Sequence, residues 1–381
     1  MRAKLPVQDG LVDRDGVKLY YEVYGNGPQT MVFVPPWSIV HSRVYKAQLP
    51  YFSERFRCVA YDGRGNGKSD RPADVAAYSL DNYVADLPSV MDATGTEKAI
   101  VVGLSFGGMI ASAVAAHHPE RVTAAILVGT SASIGPGYPY MTPAHFLTRQ
   151  ETFDGWNKYN REHWLPYYPD FAEFFVRNIF SEPHSTKQIE DGIEWAGETT
   201  GAVLARIVEA RSIVPAFDVS EAMYRKIRCP VLMIHGDNDQ LQPYARAEAV
   251  AEATGAELVT FPGGGHNLLG RFPAKCNALI LDFLDRKLGI PAPKKPAKAA
   301  KTKRALYLSS PIGLGHGRRD IAITRELRKL HPDLHVDWLA QDPVTRLLET
   351  SGECVHPLSN RLASETLHIE LESGEHDLNA F

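Results

Sequence analysis

A chain of 381 residues is longer than one average domain, so length alone favours two units, one of them large. With 41 basic and 45 acidic side chains, a formal net charge of -4 and 44% hydrophobic residues, the composition is that of a soluble globular protein and offers no basic excess for nucleic acid. Neither the opening MRAKLPVQDG nor any later run has the roughly 20 consecutive apolar residues that span a bilayer, so the expectation is a cytoplasmic protein with no membrane partner.

Taken in chain order, VKLYYEVYG (17–25) and TMVFVP (30–35) read as the first two strands, with GNGPQ as the turn between them. A helical stretch near 43–53 follows, then three apolar β-branched runs, RFRCVAYD, AIVVGL and AAILVG, separated by the helical periods of SLDNYVADLPSVMDAT and FGGMIASAVAAHHPE. Alternating strands and helices predict an α/β fold, a mostly parallel sheet with helices on both faces. The alternation stops between about 134 and 222, then resumes with PVLMIHG, a helix near 243–253, AELVTF and a final helix at 273–287. The interruption holds 15 of the 36 aromatic residues of the chain. A helical lid walling an apolar pocket has this composition, and so does a small helical subdomain that needs large side chains for its own core.

Residues 291–303, PAPKKPAKAAKTK, carry prolines, lysines and alanines with nothing large to bury and read as an extended linker. Beyond it ALYLSS opens a second unit, 304–381, followed by PIGLGHGRRD, a helix at 320–330, the strand LHVDWLA, a helix near 343–350 and a polar tail. Cys58, Cys229, Cys276 and Cys354 form no CxxC pair and read as reduced, mostly buried thiols.

One segment carries chemistry. A serine hydroxyl becomes a nucleophile only with a histidine to take its proton, a carboxylate to hold that histidine, and N–H donors for the oxyanion. Ser105 stands in Gly103-Leu104-Ser105-Phe106-Gly107, between an expected buried strand and an expected helix. That is the context of a nucleophile elbow, where backbone crowding admits only small flanking residues. An acid should follow a later strand, and HGDNDQLQP supplies Asp237 and Asp239; the histidine should follow the last strand, and PGGGHNLLG supplies His266. The loops after the strands of a parallel sheet converge on one edge, so these residues can meet there. No HExxH or carboxylate cluster at metal spacing is present in the sequence, and no metal or cofactor is expected.

These pieces, together with YDGRGNGKSD after the third strand and HHPERVTAAILVGT, make residues 15–288 resemble the α/β-hydrolase fold superfamily, in particular its serine esterases and lactonases. The resemblance implies Asp239 rather than Asp237 as the acid, since the family's acid is usually the second aspartate of a G-x-x-D stretch, and leaves Asp237 a turn-stabilising role. It implies structural hydrogen-bonding roles for Asp62, Arg64 and Ser69, and a catalytic set of Ser105, Asp239 and His266. Where the family usually carries His-Gly after an early strand, this chain has Pro35 and Pro36. Neither proline has an N–H to donate, but the implied oxyanion donors, the backbone N–H groups of Trp37 and Phe106, are retained.

The reaction so implied is hydrolysis of a carboxylic ester or lactone through an acyl-serine, on a small and largely apolar substrate. Carbon-carbon bond hydrolysis and perhydrolysis use the same constellation and stay open. A different class also stays open, in which the first 290 residues are a catalytically silent ligand-sensing module. Residues 304–381 resemble the N-terminal part of a GT-B glycosyltransferase, a partial Rossmann-like βαβ unit with the glycine-rich loop Gly313-Leu314-Gly315-His316-Gly317. They are too few for the two domains such an enzyme needs. No transferase activity is expected, and the unit reads as truncated.

Overall fold

In a computed structural model of the chain, which describes residues 4–213, 218–290, 304–309 and 314–361, eight strands form one sheet: β1 (Gln8–Arg14), β2 (Val17–Tyr24), β3 (Thr30–Val34), β4 (Arg57–Tyr61), β5 (Ala99–Leu104), β6 (Val122–Val128), β7 (Val231–Gly236) and β8 (Glu257–Phe261). Their order is β1-β2-β4-β3-β5-β6-β7-β8. From β4 across to β8 every neighbouring pair is parallel, whereas β2 runs antiparallel to β4 and β1 antiparallel to β2. The chain divides into two compact units, Met1–Ala292 and Pro293–Phe381. Among the described residues no helix is long and apolar enough to cross a membrane.

The central strands explain themselves. All six residues of β5 and all six of β7 are buried, which requires cover on both faces and accounts for their uninterrupted apolar spelling. Helices Leu80–Ala93, Phe106–His117, Tyr244–Thr254 and Pro273–Leu288 supply the cover and stand where the helical periods place them. The stretch near 43–53 is less regular than one helix: it splits into a 3-10 turn at Ser42–Tyr45 and a single α-turn at Leu49–Phe52. One reason is internal bracing, for Tyr45 Oη donates to Val34 O at 2.6 Å and accepts from Leu104 N–H at 3.0 Å, tying the ends of β3 and β5 together.

The sequence reading begins one strand too late. β1 is mostly exposed or half-buried, with Leu11 on the outside, so it lacks the apolar run that marks the inner strands. Its signal is the Asp15-Gly16 pair, both with positive φ (54° and 80°), which closes a two-residue hairpin with Arg14 opposite Val17.

Between β6 and β7 lies the helical insertion, with Arg161–Ile179, Thr186–Ala196 and Gly201–Ile213 as its longer helices. Its aromatic residues serve both the core of the insertion and the wall of a cavity, Tyr159 and Phe175 belonging to both. Phe146, Trp164 and Phe171 are fully buried and pack on one another, with centroid separations of 4.6 and 4.3 Å about Trp164. Tyr138, Tyr159, Phe175, Phe180 and Trp195 line a cavity. Phe217 lies outside the described residues.

In the second unit β9 (Arg304–Ser309) pairs in parallel with β10 (His335–Ala340), and helices Leu314–Leu330 and Val344–Thr350 accompany them. Ile321, Val336, Trp338, Val344 and Leu348 form its small core. The motif expected to be a glycine-rich loop departs from that reading: Leu314 to Gly317 already belong to the helix, and a Cβ on Gly317 would press on Leu347 and Val344 at 3.0 and 3.1 Å. That glycine serves helix packing. Gly313, the linker 291–303 and the tail beyond 361 lie outside the described residues. Of the four cysteines, Cys58 and Cys276 are buried, Cys229 is half-buried and Cys354 is exposed, so burial is less general than expected; all four are free thiols.

Candidate active site

Ser105 follows β5 directly and takes φ 55° and ψ -121° before the helix Phe106–His117 begins. A non-glycine residue in that region costs on the order of 1–3 kcal/mol and persists only where its surroundings over-determine it. Here they do: Ser105 N–H donates to Val128 O, and Ser105 O accepts from the N–H groups of Gly108 and Ser131, each at 2.9 Å. The flanking glycines are required by contact. A Cβ on Gly103 would run into the Gly107 carbonyl, and one on Gly107 would stand 2.5 and 2.6 Å from the carbonyl oxygens of Val34 and Pro35.

Asp239 follows β7 and His266 follows β8. The structure brings them together: His266 Nδ1 and Asp239 Oδ2 are 2.8 Å apart, both side chains almost wholly buried. The other carboxylate oxygen, Oδ1, accepts from the N–H groups of Leu241 and Gln242 at 2.8 and 2.9 Å. Burial alone raises a carboxyl pKa, yet the attraction and hydrogen bond of His266, with His235 and the Gln242 N–H adding to them, outweigh it and hold Asp239 below its ordinary value. A carboxylate on one nitrogen fixes the His266 proton at Nδ1 and leaves Nε2 as the acceptor.

Asp237 does something else. Its Oδ1 accepts from Gly263 N–H at 2.6 Å across the neighbouring turn, the turn-stabilising role expected of it. His235, buried at the end of β7, directs Nε2 at Gln242 O at 2.9 Å, and burial pushes its pKa down against the raising pull of Asp239.

Ser105 and His266 line one cavity of about 410 Å³, together with Pro36, Trp37 and Phe106. Pro35 and Trp37 lie just beyond β3, Pro35 with its carbonyl against Gly107 of the elbow. Neither Trp37 N–H nor Phe106 N–H has an acceptor among the described residues. The Trp37-Ser38 loop is held from below: Ser38 Oγ donates to Arg64 O at 2.8 Å, and Asn66 Nδ2 donates to Ser38 O at 2.8 Å. Asp62 and Ser69 complete that turn, Asp62 Oδ1 accepting from Ser42 Oγ at 2.6 Å and Ser69 Oγ donating to Asp62 O at 2.7 Å. No group of three or more metal-ligating side chains occurs among the described residues.

Sequence reasoning missed the supports that the insertion supplies. Glu182 Oε1 accepts from Gly265 N–H at 2.7 Å, Ile179 O accepts from His266 N–H at 3.0 Å, and Tyr138 Oη donates to Asp239 O at 2.9 Å. No spacing rule links residues 138, 179 and 182 to 239 and 266; only the closure of the insertion over the strand ends does. Glu182→Ala is expected to lower kcat roughly 10-fold by freeing the His266 loop from one buried charge-assisted hydrogen bond. Glu182→Gln, which keeps the acceptor, should recover most of the loss; equal loss in both variants would exclude this role.

A family model described as alpha/beta hydrolase fold matches residues 39–272. Over 288 residues the chain is 31% identical to a putative carbamate hydrolase RutD of Caulobacter sp. (strain K31), a match covering 73% of this chain and 98% of that protein. It is 30% identical over 271 residues to a 2-hydroxymuconate semialdehyde hydrolase of Pseudomonas sp. (strain CF600), covering 69% and 85% respectively. Among solved structures, an enol-lactonase from Burkholderia xenovorans LB400 superposes with a TM-score of 0.60 at 22% identity, over 73% of this chain and 99% of that one, a likeness of fold.

Proposed function

The chain belongs to the alpha/beta hydrolase fold family, and on that premise we propose that it is a serine hydrolase acting on a carboxylic ester or lactone through an acyl-serine intermediate. The observation that carries this reading is the 2.8 Å contact of His266 Nδ1 with Asp239 on the wall of the cavity that Ser105 also lines. In the proposed reaction Ser105 Oγ attacks the substrate carbonyl carbon while its proton passes to His266 Nε2. The carbonyl oxygen becomes an oxyanion, met by the N–H groups of Trp37 and Phe106 and by the positive end of the helix that starts at Phe106. Collapse breaks the bond to the alcohol oxygen, which leaves with the proton from His266. Water, deprotonated by the same nitrogen, then attacks the acyl-serine and releases the acid and free Ser105.

In this reading the helical insertion acts as a lid that shapes the cavity. In the same reading the second unit is a GT-B-type βαβ unit, supported by the parallel pairing of β9 with β10.

The test is covalent. Incubation with a fluorophosphonate should label the full chain once, at Ser105, and the same preparation should hydrolyse short 4-nitrophenyl esters; Ser105→Ala, as control, should do neither. Absence of both labelling and turnover in the native chain, with small ligands still raising its melting temperature, would replace the enzyme with a ligand-sensing module.

A further inference from the structure

The wall of the cavity is mostly apolar, but its formal charges are one-sided. Arg211, from the insertion helix Gly201–Ile213, and Arg246, from the helix Tyr244–Thr254, both line it, and none of the residues lining it is an aspartate, glutamate or lysine. Neither arginine stands in an ion pair among the described residues. Arg246 makes only neutral contacts, Nη1 donating to Gln242 Oε1 at 2.7 Å and Nε to Pro136 O at 3.0 Å. The Arg211 guanidinium lies 5.2 Å from the centroid of the Phe106 ring, on the residue that follows the nucleophile.

Two guanidiniums with no carboxylate between them are unfavourable for one another. Burial first, and then the like charge of Arg211, lower the pKa of Arg246 from its ordinary value, with Tyr224 opposing. By contrast Arg64, the fully buried arginine of this unit, has the carboxylate of Asp86 as its counter-charge. Arg246 is half-buried and Arg211 exposed beside it; an arginine is costly to leave uncompensated when partly desolvated, which applies to Arg246, and the planar fork of either suits a carboxylate with two parallel N–H donors. A ligand carboxylate is the partner this cavity lacks.

We propose that the substrate is an anionic ester or lactone, one that carries a free carboxylate remote from the scissile carbonyl, and that Arg211 and Arg246 bind that carboxylate while the carbonyl lies at Ser105. This rests on the assignment of Ser105 as nucleophile and narrows it to acyl or alcohol parts derived from dicarboxylic or hydroxy-carboxylic acids. The apolar wall takes the chain between the two ends. Arg246 comes from a stretch read as a helix and Arg211 from the insertion, with no spacing linking the two, which is why the anion site is not legible before the fold is known.

The experiment compares mono-4-nitrophenyl adipate with its neutral isostere, methyl 4-nitrophenyl adipate, on the full chain. The readout is the ratio of kcat/KM for the anion to that for the neutral ester, which a general loss of active protein does not move. The native chain is expected to favour the anion by roughly 10-fold, and Arg211→Gln/Arg246→Gln to lower the ratio roughly 30-fold or more, as expected for lost charge-assisted hydrogen bonds. A native ratio at or below one, or a ratio unchanged by the double substitution, overturns the proposal. Should neither ester be turned over and Ser105 resist labelling, the hydrolase reading fails by itself. Calorimetric titration with adipate then decides the anion site: binding by the native chain that the double substitution abolishes upholds it, and absence of binding by the native chain overturns it.

Discussion

Replacing Asp239 by asparagine is expected to lower kcat roughly 10⁴-fold while leaving the fold intact, the size of effect that a wrong histidine tautomer produces. The reason lies in how the carboxylate is held. Oδ1 accepts two backbone N–H groups, from Leu241 and Gln242, so an asparagine must keep its carbonyl oxygen there to avoid leaving two buried donors unpaired. Its NH₂ group then faces His266 Nδ1. That nitrogen must become the acceptor, which moves the ring proton to Nε2, where it blocks uptake of the proton from Ser105. Steady-state turnover of a 4-nitrophenyl ester, with phosphonate labelling followed in parallel, checks this: both rates should collapse together while the circular dichroism spectrum is unchanged. A decline of less than about tenfold would mean that His266 does not depend on Asp239, since removal of a working triad member costs far more.

The site was legible in the sequence to the extent that it is made by strand ends. Ser105, Asp239 and His266 each follow a buried apolar run, and a parallel sheet delivers all such positions to one edge. The choice of Asp239 over Asp237 needed the family resemblance; in the structure the first aspartate holds Gly263 and the second meets His266. What stayed illegible has a common physical origin. Glu182, Ile179, Tyr138, Arg211 and Arg246 act across the fold, through contacts between the insertion, the following helix and the strand ends, and no local periodicity encodes such distances. β1 was missed for the opposite reason: its local signal, the Asp15-Gly16 turn, was present, but its half-exposed residues do not spell an apolar strand.

The same limit applies to Arg64, whose structural role was expected but whose partner was not. Arg64 and Asp86 are both about 1% exposed and meet through two hydrogen bonds, Nε to Oδ2 at 2.8 Å and Nη2 to Oδ1 at 2.5 Å, while Nη1 donates to Ala77 O at 2.6 Å. Arg64→Met is expected to destabilise the first unit by about 3–5 kcal/mol, because it leaves a buried carboxylate without its hydrogen-bonded counter-charge, with only Arg14 Nε remaining at 3.7 Å. At roughly 2–4 °C per kcal/mol for a domain of this size, the melting temperature should drop by about 8 °C or more. The sign of the pH dependence follows from Asp86. Burial already pushes its carboxyl above the ordinary value against the pull of Arg64, and removing Arg64 pushes it further. A carboxyl raised in the folded state withdraws stability as pH climbs past the unfolded value of about 3.9, so the deficit of the variant should be smaller at pH 5 than at pH 8. Arg64→Met/Asp86→Leu, which removes both charges, should regain most of the stability. Because Arg64 O also accepts from Ser38 Oγ beside Trp37, the single variant should lose turnover at temperatures where it is still folded, through a loosened oxyanion loop. Urea titrations at the two pH values decide the matter: a deficit independent of pH, or a double variant no more stable than the single one, would show that Asp86 is not the source of the cost.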